Sequence, residues 1–153
     1  MVKSTVLIGT FFALATGLAI GLQATLSSRT GGLIGHVRTG VLTNVVGGAL
    51  AMIIAAVWMA RGGLDWRQVP VPAGLMLATS GALGILIVTG SAFALQRIGV
   101  AAGVATLILG QLLVSVIADT SGIGNVEPIP LTVQRVAGLL VMAVAVYLLL
   151  PRS

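Results

Sequence analysis

Five long apolar runs, separated by short polar or glycine-rich interruptions, organise this chain. A helix needs about 20 apolar residues at 1.5 Å each to cross roughly 30 Å of hydrocarbon, and each run comes close to that length. The first covers about 5–26 and stops at Ser27-Ser28-Arg29, and the second covers about 39–60 and ends in Arg61-Gly62-Gly63. The third, about 73–95, follows Asp65-Trp66-Arg67 with Pro70 and Pro72, and Gln96-Arg97 closes it. The fourth, about 99–118, is broken by Asp119-Thr120-Ser121-Gly122, and the fifth, about 133–150, leads into Pro151. Pro70, Pro72, Pro128, Pro130 and Pro151 all fall outside these runs, as helix breakers should. The pattern predicts an all-α integral membrane protein with five transmembrane helices in one transmembrane domain, 1–153. Between the third and fourth runs the connection is too short for anything but antiparallel neighbours.

Composition sharpens the prediction. Hydrophobic side chains make up 58% of the 153 residues and charged ones 7%, against about 25% charged in soluble domains. Eight Lys and Arg with three Asp and Glu could not coat a folded surface against water, so the solvent must be lipid. Glycine, at 21 residues, suits helices that pack closely in a bilayer. There is no cysteine and one histidine, His36, which excludes disulfides, thiolate metal sites, cysteine nucleophiles and histidine clusters. An enzyme is not expected, nor a metal or cofactor. The cations Lys3, Arg29, Arg38, Arg61, Arg67, Arg97, Arg135 and Arg152 are strung singly along the chain. Nucleic-acid binding wants them clustered. Here each sits beside the end of an apolar run and reads as an interfacial anchor, as do Trp58, Trp66 and Tyr147. Lys3 before an apolar run resembles a secretory signal, but the run is about 22 residues long and no clear cleavage site follows. No internal repeat or soluble domain is evident.

Orientation follows the Lys/Arg count on short loops. The face holding the N-terminus collects Lys3, Arg61, Arg67 and Arg135, while the other collects Arg29, Arg38, Arg97 and Arg152. The split is even. Chance gives such a tie about a quarter of the time under random assignment. The functional alternative is dual topology, in which copies insert both ways and pair antiparallel, making the inverted repeat that larger transporters encode within one chain.

Several polar residues lie within or at the ends of the spans. Gln111, Ser115 and Asp119 recur four apart and share a face of the fourth helix. Gln23 and Ser27 repeat the spacing in the first, after Gly17-x-x-x-Gly21, and Asn44 sits deep in the second. Such groups either hydrogen-bond between helices or line a wet cavity. An asparagine at that depth costs several kcal/mol unless it finds a partner, a water or a ligand. Asp119 reads either as a solvated interfacial carboxylate or as a proton carrier placed against the negative end of a helix dipole. His36, expected in the first loop, reads as a lone interfacial residue. The fifth run carries almost no polar content after Arg135 and reads as a scaffold or dimer-contact helix.

Gly21-Leu22-Gln23-Ala24, Ser80-Gly81-Ala82-Leu83-Gly84, and the fourth-span series Gly99, Gly110-Gln111, Ser115, Asp119 and Gly122 resemble the YdcZ-like inner-membrane exporters. These are five-helix bacterial members of the drug/metabolite transporter superfamily. The resemblance covers essentially the whole chain and implies a multi-pass protein of the bacterial inner membrane that exports small metabolites or drugs. It also implies dual topology or pairing with an oppositely oriented paralogue. Ser27 stands where the family pattern suggests an asparagine, and the first span lacks the acidic residue on which four-helix small multidrug resistance proteins depend.

The expectation is a secondary transporter working by alternating access as an antiparallel homodimer, or as a pair with an opposite-facing paralogue. The dimer would hold ten helices. Gln23, Ser27, Asn44, Gln111 and Ser115 are the candidate cavity contacts for a small-molecule substrate, and Asp119 is the coupling candidate. A passive dual-topology channel and a non-transporting structural subunit are the alternatives.

Overall fold

A computed structural model describes residues 2–63, 65–123 and 127–151, with side chains described from residue 6 onward and that of Trp66 left aside. The expected anchors Lys3, Trp66 and Arg152 therefore fall, in their side chains, outside the described residues. Among those residues all regular structure is helical: α1 (Val2–Ile34), α2 (His36–Ala60), α3 (Val71–Ile98), α4 (Val100–Ser121) and α5 (Val133–Leu149), with a 3-10 turn at Trp66–Gln68. The first four are long and apolar enough to cross a membrane. At 17 residues, or about 25 Å, α5 lies at the lower limit of a spanning helix.

Several helix ends differ from the sequence reading. The first helix runs straight through Ser27-Ser28-Arg29 to Ile34 and reaches 33 residues, about 50 Å. Serine and arginine do not stop a helix; a backbone that leaves helical dihedrals does. That residue is Gly35, with φ 89° and ψ 151°, a region open almost only to glycine. The first loop is thus a single residue, and His36 opens α2 instead of lying in the loop. Gly99, with φ 82° and ψ 159°, makes the same one-residue break between α3 and α4. Pro72 lies inside the first turn of α3 and not before it, where its missing N–H would have had no helical partner anyway. The fourth helix continues through Asp119 to Ser121.

Two helices stop on the same device. After α2, Gly62 adopts φ 71°, and the N–H groups of Gly62 and Gly63 donate to the carbonyls of Met59 and Trp58. After α4, Gly122 adopts φ 67°, and Gly122 and Ile123 donate to Asp119 and Ala118. Both are Schellman closures, which satisfy carbonyls that a helix end otherwise leaves bare. At the start of α5, Thr132 caps the helix by accepting from the Arg135 N–H at 3.3 Å.

The chain divides into two compact units, residues 22–93 and residues 1–21 with 94–153, and α1 and α3 contribute to both. In the first unit the buried residues are small or hydroxylic: Ala24, Ser27, Ser28, Gly31, Thr39, Gly40, Ser91 and Ala92. In the second, α4 packs on α5, and the buried apolar residues are Leu95, Ala102, Ala105 and Val146. Leu18, Val114 and Val141 are about 70% exposed, and many other large apolar side chains on each helix are exposed as well. A helix apolar all round is a helix solvated by lipid. Hydroxyls on these helices are satisfied locally: Thr10, Thr79, Ser91, Thr106 and Thr120 each donate to a carbonyl four residues back. Polar residues so bonded need no cavity to be tolerated.

Candidate functional site

The fourth helix carries the predicted stripe. Gln111 and Ser115 are exposed near its middle, while Asp119 is half-buried in its last turn. Asp119 Oδ2 accepts from Arg135 Nη2 at 2.8 Å across to α5, with the two side chains 37% and 28% exposed respectively. The Asp119 carbonyl also accepts from Gly122 at 3.4 Å and from Ile129 at 3.0 Å. One residue therefore gathers the end of α4, the returning chain and the start of α5. The electrostatics explain the choice of partners. A carboxylate at the C-terminal end of its own helix and a guanidinium in the first turn of its own are each misplaced against the dipole. Across the α4–α5 contact each faces the favourable end of the other's helix.

Arg135 was read from the sequence as an anchor alone. A signal for the pair existed: an acid in the last turn of one helix and a cation in the first turn of the next along the chain. Arg135 Nη1 is buried and has no hydrogen-bond partner among the described residues.

In the unit formed by residues 22–93, Gln23 is exposed on α1 and Ser27, one turn further, is buried. Asn44 has found its partner within its own helix, Nδ2 donating to the Gly40 carbonyl at 2.8 Å. Its Oδ1 lies over α3, where a Cβ added at Gly84 would sit 2.8 Å away. One turn nearer the α2 start, a Cβ on Gly40 would strike the Thr89 hydroxyl and come within 2.9 Å of the Ile85 carbonyl. His36 meets Phe93 edge to face at 5.4 Å between ring centroids. The pairs His36/Phe93, Gly40/Thr89 and Asn44/Gly84 form one antiparallel seam between α2 and α3; in the sequence Gly84 and Thr89 stand out only as small or polar residues of the third span, and neither Gly40 nor the pairing is legible.

The glycine motifs separate in the same way. A methyl group at Gly17 or Gly21 would meet no atom within 4 Å, whereas one on Gly103 would lie 2.6 Å from Leu95 Cδ1 and 3.2 Å from Leu95 Cα. Of the Gly99-x-x-x-Gly103 pair, the first makes the turn and the second takes the close packing.

Four long apolar helices, exposed apolar surface on their outsides and amide groups within the spans define a multi-pass helical membrane protein. The chain matches the family described as "Putative inner membrane exporter, YdcZ" over residues 8–148, and it belongs to that family. The family is one of membrane exporters and not of enzymes. No curated protein and no solved structure matches the chain.

Proposed function

We propose that the protein is a secondary transporter of the bacterial inner membrane that exports small molecules by alternating access, working as an antiparallel dual-topology dimer. The observation that carries the reading is the exposure of Gln111 and Ser115 at the middle of α4. An amide left bare in hydrocarbon costs about 2–7 kcal/mol, so a spanning helix that presents one needs a polar partner or a wet cavity against it. A second copy inserted the other way supplies such a cavity, with the exposed Gln23 as a further polar contact for the substrate, whereas Ser27 is buried and Asn44 is held against Gly84. The even division of cations between the two faces supports insertion in both directions. Pairing with an oppositely oriented paralogue would serve the same geometry.

Asp119 is the coupling candidate within this reading, because among the described residues it is the acid that lies inside a long apolar helix. Its ion pair with Arg135 is the contact that a coupling step would have to break and remake.

The test is a pair of measurements. C-terminal tags should report both sides of the membrane in comparable amounts, and moving two arginines from one face to the other should fix the orientation and reduce activity. In proteoliposomes, flux of a cationic dye or small metabolite should saturate and show counterflow. Linear, unsaturable flux would make the protein a channel, and no flux at all a structural subunit. A single orientation without any partner would sink the antiparallel dimer.

A further inference from the structure

The α2–α3 seam is closed from His36 to Asn44, and beyond it the glycines of both helices have open space above them. From His36/Phe93 to Asn44/Gly84 the helices touch, closely enough that Gly40 has no room for a methyl group beneath Thr89. One turn beyond Asn44, Gly47 and Gly48 straddle the continuation of the same face of α2, and one turn beyond Gly84 lies Gly81. A Cβ on any of these three, or on Gly74 further along α3, would meet nothing within 4 Å. The change from contact to gap falls at Asn44.

We infer that the Asn44–Gly84 contact is a pivot on which α2 and α3 rock, the seam from His36 to Gly40 parting as the glycine gap at Gly48 and Gly81 closes. The inference rests on the transport reading, since alternating access is the process that needs such an exchange.

Three physical features support it. The Asn44 side chain is tied to its own helix through Gly40, so its amide is a fixed bearing and not a swinging arm. With no side chain at Gly47, Gly48 or Gly81 and open space above each, two helix axes can approach more closely there than the 8–10 Å of ordinary helix pairs, which gives this half somewhere to go. Packed helix faces switch between discrete arrangements and do not deform continuously, so a pair with one closed half and one vacant half has a second state at hand.

Because the chain has no native cysteine, cross-linking reads the motion directly. His36→Cys with Phe93→Cys should form an intramolecular disulfide in membranes under copper phenanthroline, and so should Gly48→Cys with Gly81→Cys. In the fourfold variant, a bridge at either pair should reduce formation of the other to the level of the unoxidised control. The bridge at 36 and 93 should abolish flux, and reductant should restore it. Gly48→Ile with Gly81→Ile should fill the gap and abolish flux while leaving the 36–93 bridge in full yield, which guards against a variant that merely misfolds.

The pivot is overturned if both bridges form in one molecule, if either fails to form, or if the 48–81 pair links only between two copies. It is also overturned if the protein bridged at 36 and 93 transports normally. Mutually exclusive bridges in a protein that moves nothing even when reduced would instead defeat the transport reading and leave the pivot standing.

Discussion

Removing the charge at position 119 should loosen the α4–α5 corner by an amount that can be worked from the geometry. Two unit charges about 4 Å apart interact by roughly 4 kcal/mol at an effective dielectric of about 20 and by roughly 1 kcal/mol in water. The Asp119 side chain is 37% exposed and that of Arg135 28%, so screening brings the net coupling to about 1–2 kcal/mol. Asp119→Asn leaves Arg135 with a weakened bond at Nη2 besides the buried Nη1, which has no partner among the described residues, and it should destabilise the folded state by about that same 1–2 kcal/mol. Arg135→Gln should cost less, because the carboxylate it abandons is the wetter partner. The two substitutions together should cost less than their sum. Reversible unfolding by sodium dodecyl sulfate in mixed micelles, followed by circular dichroism on the four proteins of the double-mutant cycle, measures the coupling. Salt at about 1 M should diminish it only in part, since a half-buried pair is screened less than an exposed one. A coupling below about 0.3 kcal/mol, the level at which many surface ion pairs contribute nothing, would refute the stapling role.

Gly40→Ala should destabilise by about 1–3 kcal/mol through overpacking against Thr89 and the Ile85 backbone, while Gly48→Ala should be neutral or stabilise the helix by up to about 1 kcal/mol. Equal effects in the same unfolding assay would mean the seam is not packed as described. Cysteines substituted at Gln111 and Ser115 should react with water-soluble thiol reagents faster than those at Leu109 and Val116, and equal protection at all four positions would favour a packed helix face over a cavity. If Asp119 carries the coupling proton, Asp119→Asn should abolish gradient-driven accumulation and spare downhill exchange. The charge swap Asp119→Arg with Arg135→Asp should restore stability without restoring accumulation, and accumulation that survives Asp119→Asn rules out the proton-carrier role.

Helix number, position and apolar character were legible in the sequence because they are local properties. A run of about 20 apolar residues is a spanning helix whatever it packs against. Family membership was legible for a related reason: the glycine, glutamine, serine and aspartate motifs that carry the resemblance are short patterns along the chain. Helix ends were harder. Ser27-Ser28-Arg29 looked like an interruption because polarity was taken as a boundary, while α1 ends where Gly35 leaves the helical region. Only tertiary structure decided which small and polar residues meet. Helices that are apolar on every side carry no amphipathic stripe to mark the face turned inward. Gly40 and Gly48 therefore read alike in the sequence, although one is pressed against Thr89 and the other stands open. Asp119 and Arg135 are 16 residues apart in the chain, and they meet because α4 and α5 pack against each other, so that each charge comes to lie at the favourable end of its neighbour's helix.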